Sequence, residues 1–237
     1  MAFQTVRYTV EDGIAEIELH RPQQLNTYNT AMRDELWTLF QAVRDDNSIR
    51  LLLLSGAGRG FSAGADLTEF GSFPSVMQAR WIRQKRDVWG LMARLKPVIV
   101  VAAHGFCLGD GLEMALLADF RIAAEGTTFA LPETSLGFLP GAGGSQLLPR
   151  VVGERRALQL LLSGQRLEAQ EAKRWGLIQR VLAADAFHEH VRAGLRHWLD
   201  HCRLDPRRLK RAVDFGGELP QQEGLIYEKI LASGGIL

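Results

Sequence analysis

Apolar and polar residues alternate in two short segments near the start of the chain, Thr5–Val10 and Ile14–His20. Between them lies Asp12-Gly13, a residue pair that favours tight turns between antiparallel strands. The pattern therefore predicts a β-hairpin.

The next apolar residues recur at helical spacing. A helix is predicted to begin near Asn29 or Thr30, because either side chain can cap it and because apolar residues follow at intervals of three and four. These residues are Met32, Leu36, Leu39, Phe40 and Val43.

Later segments alternate between short apolar runs and helical patterns. Leu51–Leu54 and Val98–Val101 have the continuous apolar character of buried parallel strands, and Ser75–Leu95 between them is predicted to be helical. The remaining predicted elements are a helix over Leu112–Leu117, a strand over Phe120–Ala123, and helices over Glu154–Ser163 and Leu167–Trp175, the last two ended by glycine. This order predicts an α/β fold with a largely parallel sheet, and the chain after Asp185 is predicted to be helical.

Composition narrows the class of protein. The chain has 237 residues, 46% of them hydrophobic, with 28 basic residues against 27 acidic ones. It is long enough for one well-packed domain, and the charge balance argues against a broad surface for nucleic acid. Val98–Ala103, the longest apolar run, is too short to cross a bilayer. With no signal sequence at the N-terminus, we expect a cytoplasmic protein without membrane contacts.

Cys107 and Cys202 are the only cysteines. They are too few for a disulfide scaffold or a thiolate metal site.

Two short motifs overlap in the glycine-rich segment that follows Leu51–Leu54. Gly58 to Ala63 matches a variant of the dinucleotide-binding fingerprint, but no acidic residue follows at the end of a second strand. Gly60 to Gly64 matches the nucleophile elbow of serine hydrolases, which requires Ser62 on a sharp turn directly between a strand and a helix.

A third pattern combines distant segments. The first two are Gly60-Phe-Ser-Ala-Gly-Ala-Asp66-Leu67 and His104-Gly-Phe-Cys-Leu-Gly109-Asp110-Gly111-Leu-Glu113. Further matches are Arg21-Pro22 with Leu25-Asn26, Leu131-Pro-Glu133 with Pro140-Gly141-Ala-Gly-Gly-Ser145, and Trp175-Gly176-Leu177. In this ordered set, from about Thr5 to Val181, the chain resembles the crotonase superfamily, the enoyl-CoA hydratase/isomerase family.

The resemblance implies a spiral of ββα units over residues 1–183 and a helical region for oligomerisation over residues 184–237. It also implies homotrimers or dimers of trimers, and an acyl-CoA thioester as substrate. Coenzyme A is then part of the substrate, and no separate cofactor or metal is expected.

The resemblance also assigns chemical roles. The N–H groups of Ala63 and Asp110 would form an oxyanion hole for the thioester enolate, which two such donors stabilise. Glu113 would activate water, Glu133 would deliver a proton to carbon, and the N–H of Gly141 would help to position the water. Substrate-binding residues carried over in the same way are Leu25, Ser62, Ala63, Gly64, Ala65, Asp66, Leu67, Gly109, Pro132 and Gly141. Asp66 is expected to fix its loop by bonding its own backbone.

Asp110 departs from the family pattern, which usually has glycine there. Locally, Asp110-Gly-Leu-Glu113 also fits a capping box, with Asp110 as N-cap. We therefore predict that the Asp110 side chain points away from the substrate and caps the helix. The family also usually continues past Leu237 through a helical stretch that often covers the pocket, so we expect a shortened C-terminus to affect closure and assembly.

These observations predict an enoyl-CoA hydratase. The alternatives are another reaction of the family, either double-bond isomerisation or a ring-specific dienoyl-CoA hydration, and RNA binding without catalysis. RNA binding would use the basic cluster Arg207-Arg208-Leu209-Lys210-Arg211, although such a cluster is more often a solvated helix face.

Overall fold

Two β-sheets organise the protein, whose computed structural model describes residues 3–71, 75 and 85–233. The larger sheet has six strands in the order β1-β2-β3-β4-β6-β9, and the smaller has the order β5-β7-β8. The strands are β1 Val6–Glu11, β2 Ile14–Leu19, β3 Leu51–Gly56, β4 Val98–Ala103, β5 Phe106–Leu108, β6 Phe120–Ala124, β7 Thr128–Ala130, β8 Leu167–Glu168 and β9 Arg180–Leu182.

Helices cover both faces of this framework. In the described residues they are α1 Thr30–Asp45, α2 Val88–Ala93, α3 Asp110–Leu116, α4 Gly144–Val152, α5 Glu154–Ser163, α6 Ala169–Trp175, α7 Phe187–His201, α8 Pro206–Asp214 and α9 Gln221–Ala232. Short 3-10 turns occupy Pro22–Gln24, Leu67–Glu69, Pro132–Leu136 and Gly216–Glu218. None of the helices in these described ranges is both long enough and apolar enough to span a membrane.

The strongest sequence patterns correspond to the central elements. β1 and β2 form the predicted antiparallel hairpin, and β2, β3, β4, β6 and β9 run parallel. All six residues of β3 are buried, as its unbroken apolar run predicts. Asn29 caps α1 by accepting a hydrogen bond from Met32 N, and the five predicted apolar residues of α1 are all buried.

Other predictions need correction. Leu167 is not helical, because it pairs with Phe129 in the small sheet, and α6 begins only at Ala169. Of the helix predicted over Ser75–Leu95, residues 76–84 lie outside the described residues, and α2 covers only Val88–Ala93. The small sheet was missed because its strands have only two or three residues each.

The helical segment after Asp185 packs onto the sheet. Phe187 and Val191 of α7 join Leu53, Val100 and Ala102 in a buried apolar cluster. The proposed role of this segment in oligomerisation stays a prediction.

The basic cluster of α8 is partly used within the fold. The Arg207 guanidinium bonds Asp205 and the Asn47 carbonyl, while Lys210 pairs with Asp119 at 2.8 Å. Because these two side chains are mostly buried by internal contacts, the cluster is a poor surface for RNA.

Candidate active site

A cavity of about 840 Å³ opens beside the start of α3. Its wall combines the glycine-rich loop after β3, the first residues of α3 and the Pro132–Leu136 turn. A space of this size suits a small-molecule ligand. Most of the predicted site residues line it: Ala63, Gly64, Ala65, Asp66, Leu67, Gly109, Asp110, Pro132, Glu133 and Gly141.

The start of α3 requires glycine. Gly109 is the N-cap with φ 52° and ψ −128°, and a Cβ there would lie 2.9 Å from Glu133 Oε1. Asp110 is therefore the first helical residue, and the prediction that Asp110 is the N-cap is wrong because Gly109 holds that position. Glu113 does not complete the predicted capping box either, because its carboxylate accepts hydrogen bonds from backbone amides that lie just before and at the start of α4.

Glu113 is fully buried, and its carboxylate is held by backbone N–H groups. Its Oε1 accepts hydrogen bonds from Ala142 N at 2.8 Å and Gly144 N at 2.7 Å. Its Oε2 is buried and has no partner among the described residues. A buried acceptor of this kind is costly unless a ligand or water satisfies it. Sequence reasoning missed both amide donors.

Glu133 lies in the Pro132–Leu136 turn and is 7% exposed. Burial, and to a lesser degree the Glu113 carboxylate, hold the pKa of Glu133 above its usual range. Its Oε2 is likewise buried and has no partner in the described part of the chain. The two glutamates are therefore in unlike environments, since backbone amides hold the Glu113 carboxylate and burial raises the pKa of Glu133.

Asp110 faces these glutamates. One carboxylate oxygen each of Asp110, Glu113 and Glu133 lies within 4.8 Å of the other two, and Asp110 lines the cavity. The prediction that its side chain points away is therefore wrong, because residues i and i+3 share one face of a helix. Three carboxylates at this spacing could approach a cation, but acidic clusters are common without one.

Ser62 has a structural role. It is 2% exposed, and its hydroxyl donates to Asn26 O at 2.8 Å. The loop does not open directly into an α-helix, since the next helical turn is the 3-10 segment Leu67–Glu69. The interpretations of this loop as a nucleophile elbow and as a dinucleotide-binding fingerprint are therefore wrong, because both motifs require the loop to open directly into a helix. Leu25, Ser62 and the fully buried Glu113 were also predicted as site residues, but none of the three lines the cavity.

The predicted oxyanion donor Ala63 needs correction. Its N–H donates to Leu25 O at 3.0 Å and is already engaged. Ala65 pairs with Tyr28 in an isolated parallel bridge, in which Tyr28 N donates to Gly64 O and Asp66 N donates to Tyr28 O. In such a bridge the flanking residues make the bonds, so the N–H of Ala65 itself points away from Tyr28.

The Asp110 amide lies beside the same loop. A Cβ built on Gly64 would be 3.6 Å from Asp110 N. As the first residue of α3, Asp110 has no helical carbonyl available to its N–H. Because Ala63 N already bonds Leu25 O, Ala65 replaces Ala63 as the candidate backbone donor beside Asp110, and both residues line the cavity.

Asp66 fixes the loop, as predicted. Its carboxylate accepts hydrogen bonds from Thr68 N and Thr68 Oγ1 and pairs with Arg21 at 3.0 Å. The Thr68 hydroxyl, with the Arg21 guanidinium, holds the pKa of Asp66 below its usual range. Asn26, which is fully buried, bonds Gly60 O through its amide and so anchors the other end of the loop.

Arg121, on β6, supports the helix that carries Glu113. It is 6% exposed and donates to the carbonyls of Ala115, Ala118 and Leu177. These bonds join the end of α3 and the turn that follows it to the segment after α6. Sequence reasoning missed Arg121 because a short strand pattern does not show where a long side chain ends.

Apolar side chains form the outer part of the cavity. Phe70 and Phe138 stack with ring centroids 5.5 Å apart, and both line the cavity together with Leu136 and Leu139. All four side chains are substantially exposed. An exposed apolar patch of this kind marks a binding surface more often than a structural one.

The chain is similar to known proteins over most of its length. Residues 9–233 match the family model described as enoyl-CoA hydratase/isomerase. The chain is 34% identical over 233 residues to the probable enoyl-CoA hydratase echA8 of Mycobacterium tuberculosis, covering 98% of this chain and 89% of that protein.

Two crystal structures are also similar to this chain in fold and sequence. The enoyl-CoA hydratase of Bacillus anthracis is 32% identical, with a TM-score of 0.90 over 98% of this chain and 90% of that one. A putative enoyl-CoA hydratase of Thermobifida fusca in complex with CoA is 25% identical, with a TM-score of 0.88 over 97% of this chain and 92% of that one. These matches confirm the predicted crotonase-like α/β fold. The chain therefore belongs to the enoyl-CoA hydratase/isomerase family of the crotonase superfamily.

Proposed function

We propose that this protein is an enoyl-CoA hydratase, which adds water across the 2,3 double bond of a 2-enoyl-CoA. The observation that carries the proposal is the pairing of Glu113 and Glu133, whose buried carboxylates approach within 4.8 Å and each keep one oxygen without a partner among the described residues. A water between these oxygens would satisfy both of them. We infer an enoyl-CoA thioester as the class of substrate because the chain belongs to the enoyl-CoA hydratase/isomerase family.

The two glutamates divide the proton transfers. Glu113 accepts a proton from water as the water oxygen bonds C3 of the substrate, and Glu133 donates a proton to C2. The raised pKa of Glu133 favours its protonated form, while the Ala142 and Gly144 amides stabilise a negative charge on Glu113. Two carboxyl groups with different proton affinities are suited to act as an acid–base pair. After addition, Glu113 carries the proton and Glu133 is ionised, so one proton returns between them.

Backbone amides would stabilise the negative charge that develops on the thioester oxygen. The N–H groups of Ala65 and Asp110 would donate to the enolate oxygen, and removing one such donor in comparable acyl-transfer sites costs about 3–4 kcal/mol. Since Ala63 N already bonds Leu25 O, we assign Ala65 in its place. Gly141, which lines the cavity, keeps its proposed role in positioning the water.

Different parts of the cavity wall would contact the CoA arm and the acyl group of the substrate. The CoA complex of the Thermobifida fusca neighbour supports binding of a CoA thioester here, and the loop from Gly64 to Leu67 would contact the thioester arm. The Phe70–Phe138 stack would contact an apolar acyl group. The reaction as proposed uses no separate cofactor.

The direct test is incubation of the purified protein with crotonyl-CoA. Hydration removes the absorbance of the conjugated thioester and yields the 3-hydroxyacyl product. A 3-enoyl-CoA incubated separately tests isomerisation, because that reaction would create the conjugated absorbance. Isomerisation without hydration would overturn the proposal.

We also propose that the protein assembles as a homotrimer or a dimer of trimers, as the family resemblance implies. Light scattering coupled to size-exclusion chromatography measures this directly. A monomer across the working concentration range would contradict it.

A further inference from the structure

Four exposed apolar side chains form one part of the cavity wall, which we call the apolar patch. They are Phe70, Leu136, Phe138 and Leu139, and they are 49%, 52%, 38% and 75% exposed. Large apolar side chains in contact with water are unfavourable, and a group of them at a cavity usually marks the place where a ligand binds. The patch is therefore suited to an apolar part of a ligand.

Three of these side chains lie close in sequence to the proposed general acid. Glu133 belongs to the 3-10 turn Pro132–Leu136, which Gly137 ends with a φ of 84°. Phe138 N then donates a hydrogen bond of 3.2 Å to Glu133 O. The backbone that carries Phe138 and Leu139 is therefore tied directly to the backbone of the glutamate.

The fourth side chain belongs to the loop that carries the proposed oxyanion donor Ala65. Phe70 follows the 3-10 turn Leu67–Glu69 of this loop. Its ring stacks on that of Phe138, with the ring centroids 5.5 Å apart and the ring planes inclined by 27°. The stack joins the loop of Ala65 to the turn of Glu133, so the apolar patch continues both segments that would flank the reacting atoms.

The apolar patch favours an uncharged group. Residues 136–139 have the sequence Leu-Gly-Phe-Leu, without a charged side chain. Arg33 and Arg86, which also line the cavity, both pair with the Asp34 carboxylate. A carboxylate placed against the patch would lose water without gaining a matching partner there, which is costly. We therefore expect an apolar group, and not a charged one, to cover the patch.

We propose that the Phe70–Phe138 stack determines substrate specificity by selecting enoyl-CoA thioesters whose acyl group is apolar, uncharged and at least six carbons long. The proposal rests on the proposed function, because the acyl group reaches the stack only if the thioester lies between Ala65 and Glu133. In crotonyl-CoA, C1 is the thioester carbonyl and C2 and C3 react, so C4 alone is left to contact the patch. A longer alkyl chain or a phenyl ring adds apolar surface that the stack can cover.

The first test is the binding of saturated acyl-CoAs, which cannot be hydrated, measured by isothermal titration calorimetry. Octanoyl-CoA has four more methylene groups than butyryl-CoA, and we expect it to bind at least about 10-fold more tightly. Phe138→Ala should reduce this ratio to about threefold or less, because it removes most of the apolar surface of the stack. Phe120→Ala is the matched control, since Phe120 is 46% exposed and lies outside the cavity, and it should keep the wild-type ratio. The same ratio in wild type and Phe138→Ala would overturn the proposal.

Two further measurements test other occupants of the patch. Free CoA has no acyl group, so Phe138→Ala should weaken its binding less than that of octanoyl-CoA, and an equal loss would assign the patch to the CoA arm. Leu139→Asn replaces a side chain that is 75% exposed, so it also serves if Phe138→Ala misfolds, and it should lower the ratio of octanoyl-CoA to butyryl-CoA affinity. If Leu139→Asn dissociates the protein in light scattering and leaves this ratio unchanged, a second copy of the chain covers the patch. Either alternative result would overturn the proposal.

The kind of apolar group is identified with two more ligands. Tighter binding of octanoyl-CoA than of 3-phenylpropanoyl-CoA indicates an alkyl chain as the preferred group, and the reverse order indicates a phenyl ring. Both results support the proposal if the preferred ligand also binds more tightly than butyryl-CoA. An eight-carbon acyl-CoA that ends in a carboxylate should bind more weakly than octanoyl-CoA, and equal affinities would contradict the selection of uncharged groups.

Turnover separates the failure of this proposal from that of the proposed function. A protein that binds octanoyl-CoA with the expected ratio but hydrates neither crotonyl-CoA nor 2-octenoyl-CoA overturns the proposed function and leaves the acyl selectivity standing. We expect kcat/KM to be higher for 2-octenoyl-CoA than for crotonyl-CoA, and Phe138→Ala to lower it more for the longer substrate. A protein that hydrates both substrates with equal kcat/KM, in wild type and in Phe138→Ala, overturns only the role of the stack.

Discussion

Gly144 N donates a hydrogen bond of 2.7 Å to Glu113 Oε1, from the first residue of α4 to the interior of α3. With Ala142 N, it fixes one oxygen of the carboxylate, while the other oxygen is buried and has no partner among the described residues. The position of the proposed general base is thus set by the backbone of a different segment.

Adding a methyl group at Gly144 should disturb this arrangement. A Cβ there would lie 2.8 Å from Pro140 Cβ and 3.1 Å from Glu113 Oε1. We expect Gly144→Ala to lower kcat about 10- to 100-fold, because small displacements of catalytic groups are costly. The control is Gly194→Ala, a helical position with nothing within 4 Å of the new Cβ. It should keep full activity, and equal losses in both variants would contradict the account.

Arg121 should contribute to stability through the carbonyls that it satisfies. Arg121→Met removes the side-chain donor of the Ala118 and Leu177 carbonyls and one of the two donors of the Ala115 carbonyl. We expect the free energy of unfolding to fall by roughly 3 kcal/mol, measured by chemical denaturation. Arg180→Met, at an exposed position on β9, should change it by less than about 0.5 kcal/mol. A similar small change for Arg121→Met would show that other groups satisfy these carbonyls.

His188 should make the fold sensitive to acid. Burial, with smaller contributions from His104 and Arg192, lowers the pKa of His188 to about 4 from its usual value of 6.5. Between these values the unfolded chain binds a proton that the folded protein does not, so stability falls as pH drops from 6.5 to about 4. His188→Gln should flatten this part of the curve of melting temperature against pH. His190→Gln, exposed on the same helix, should leave the curve as in wild type; if His188→Gln does so too, the burial argument fails.

Sequence reasoning succeeded where one local pattern decides the outcome. The apolar run of β3 and the capped, periodic pattern of α1 predict these two elements without any information on the segments that pack against them. The two glutamates were found because an ordered set of motifs carries them. In contrast, the strands of the small sheet are too short to have a period of their own.

The details of the site depended on backbone directions that a sequence does not show. Ala63 and Ala65 look alike in the glycine-rich loop, and only the structure shows that the N–H of Ala63 is already engaged by Leu25 O. Asp110 looked like a helix cap, but Gly109 holds that position and turns the Asp110 carboxylate toward the glutamates.

The most direct measurement follows the loss of conjugated thioester absorbance after crotonyl-CoA is added to wild type, Glu113→Gln, Glu133→Gln and the control Glu125→Gln. Glu125 is an exposed turn residue outside the cavity, so its variant should match wild type. We expect each of the other two variants to lose about 10²- to 10⁴-fold in kcat, because each lacks one partner of the acid–base pair. Wild-type rates in both Glu113→Gln and Glu133→Gln would contradict the two-glutamate mechanism.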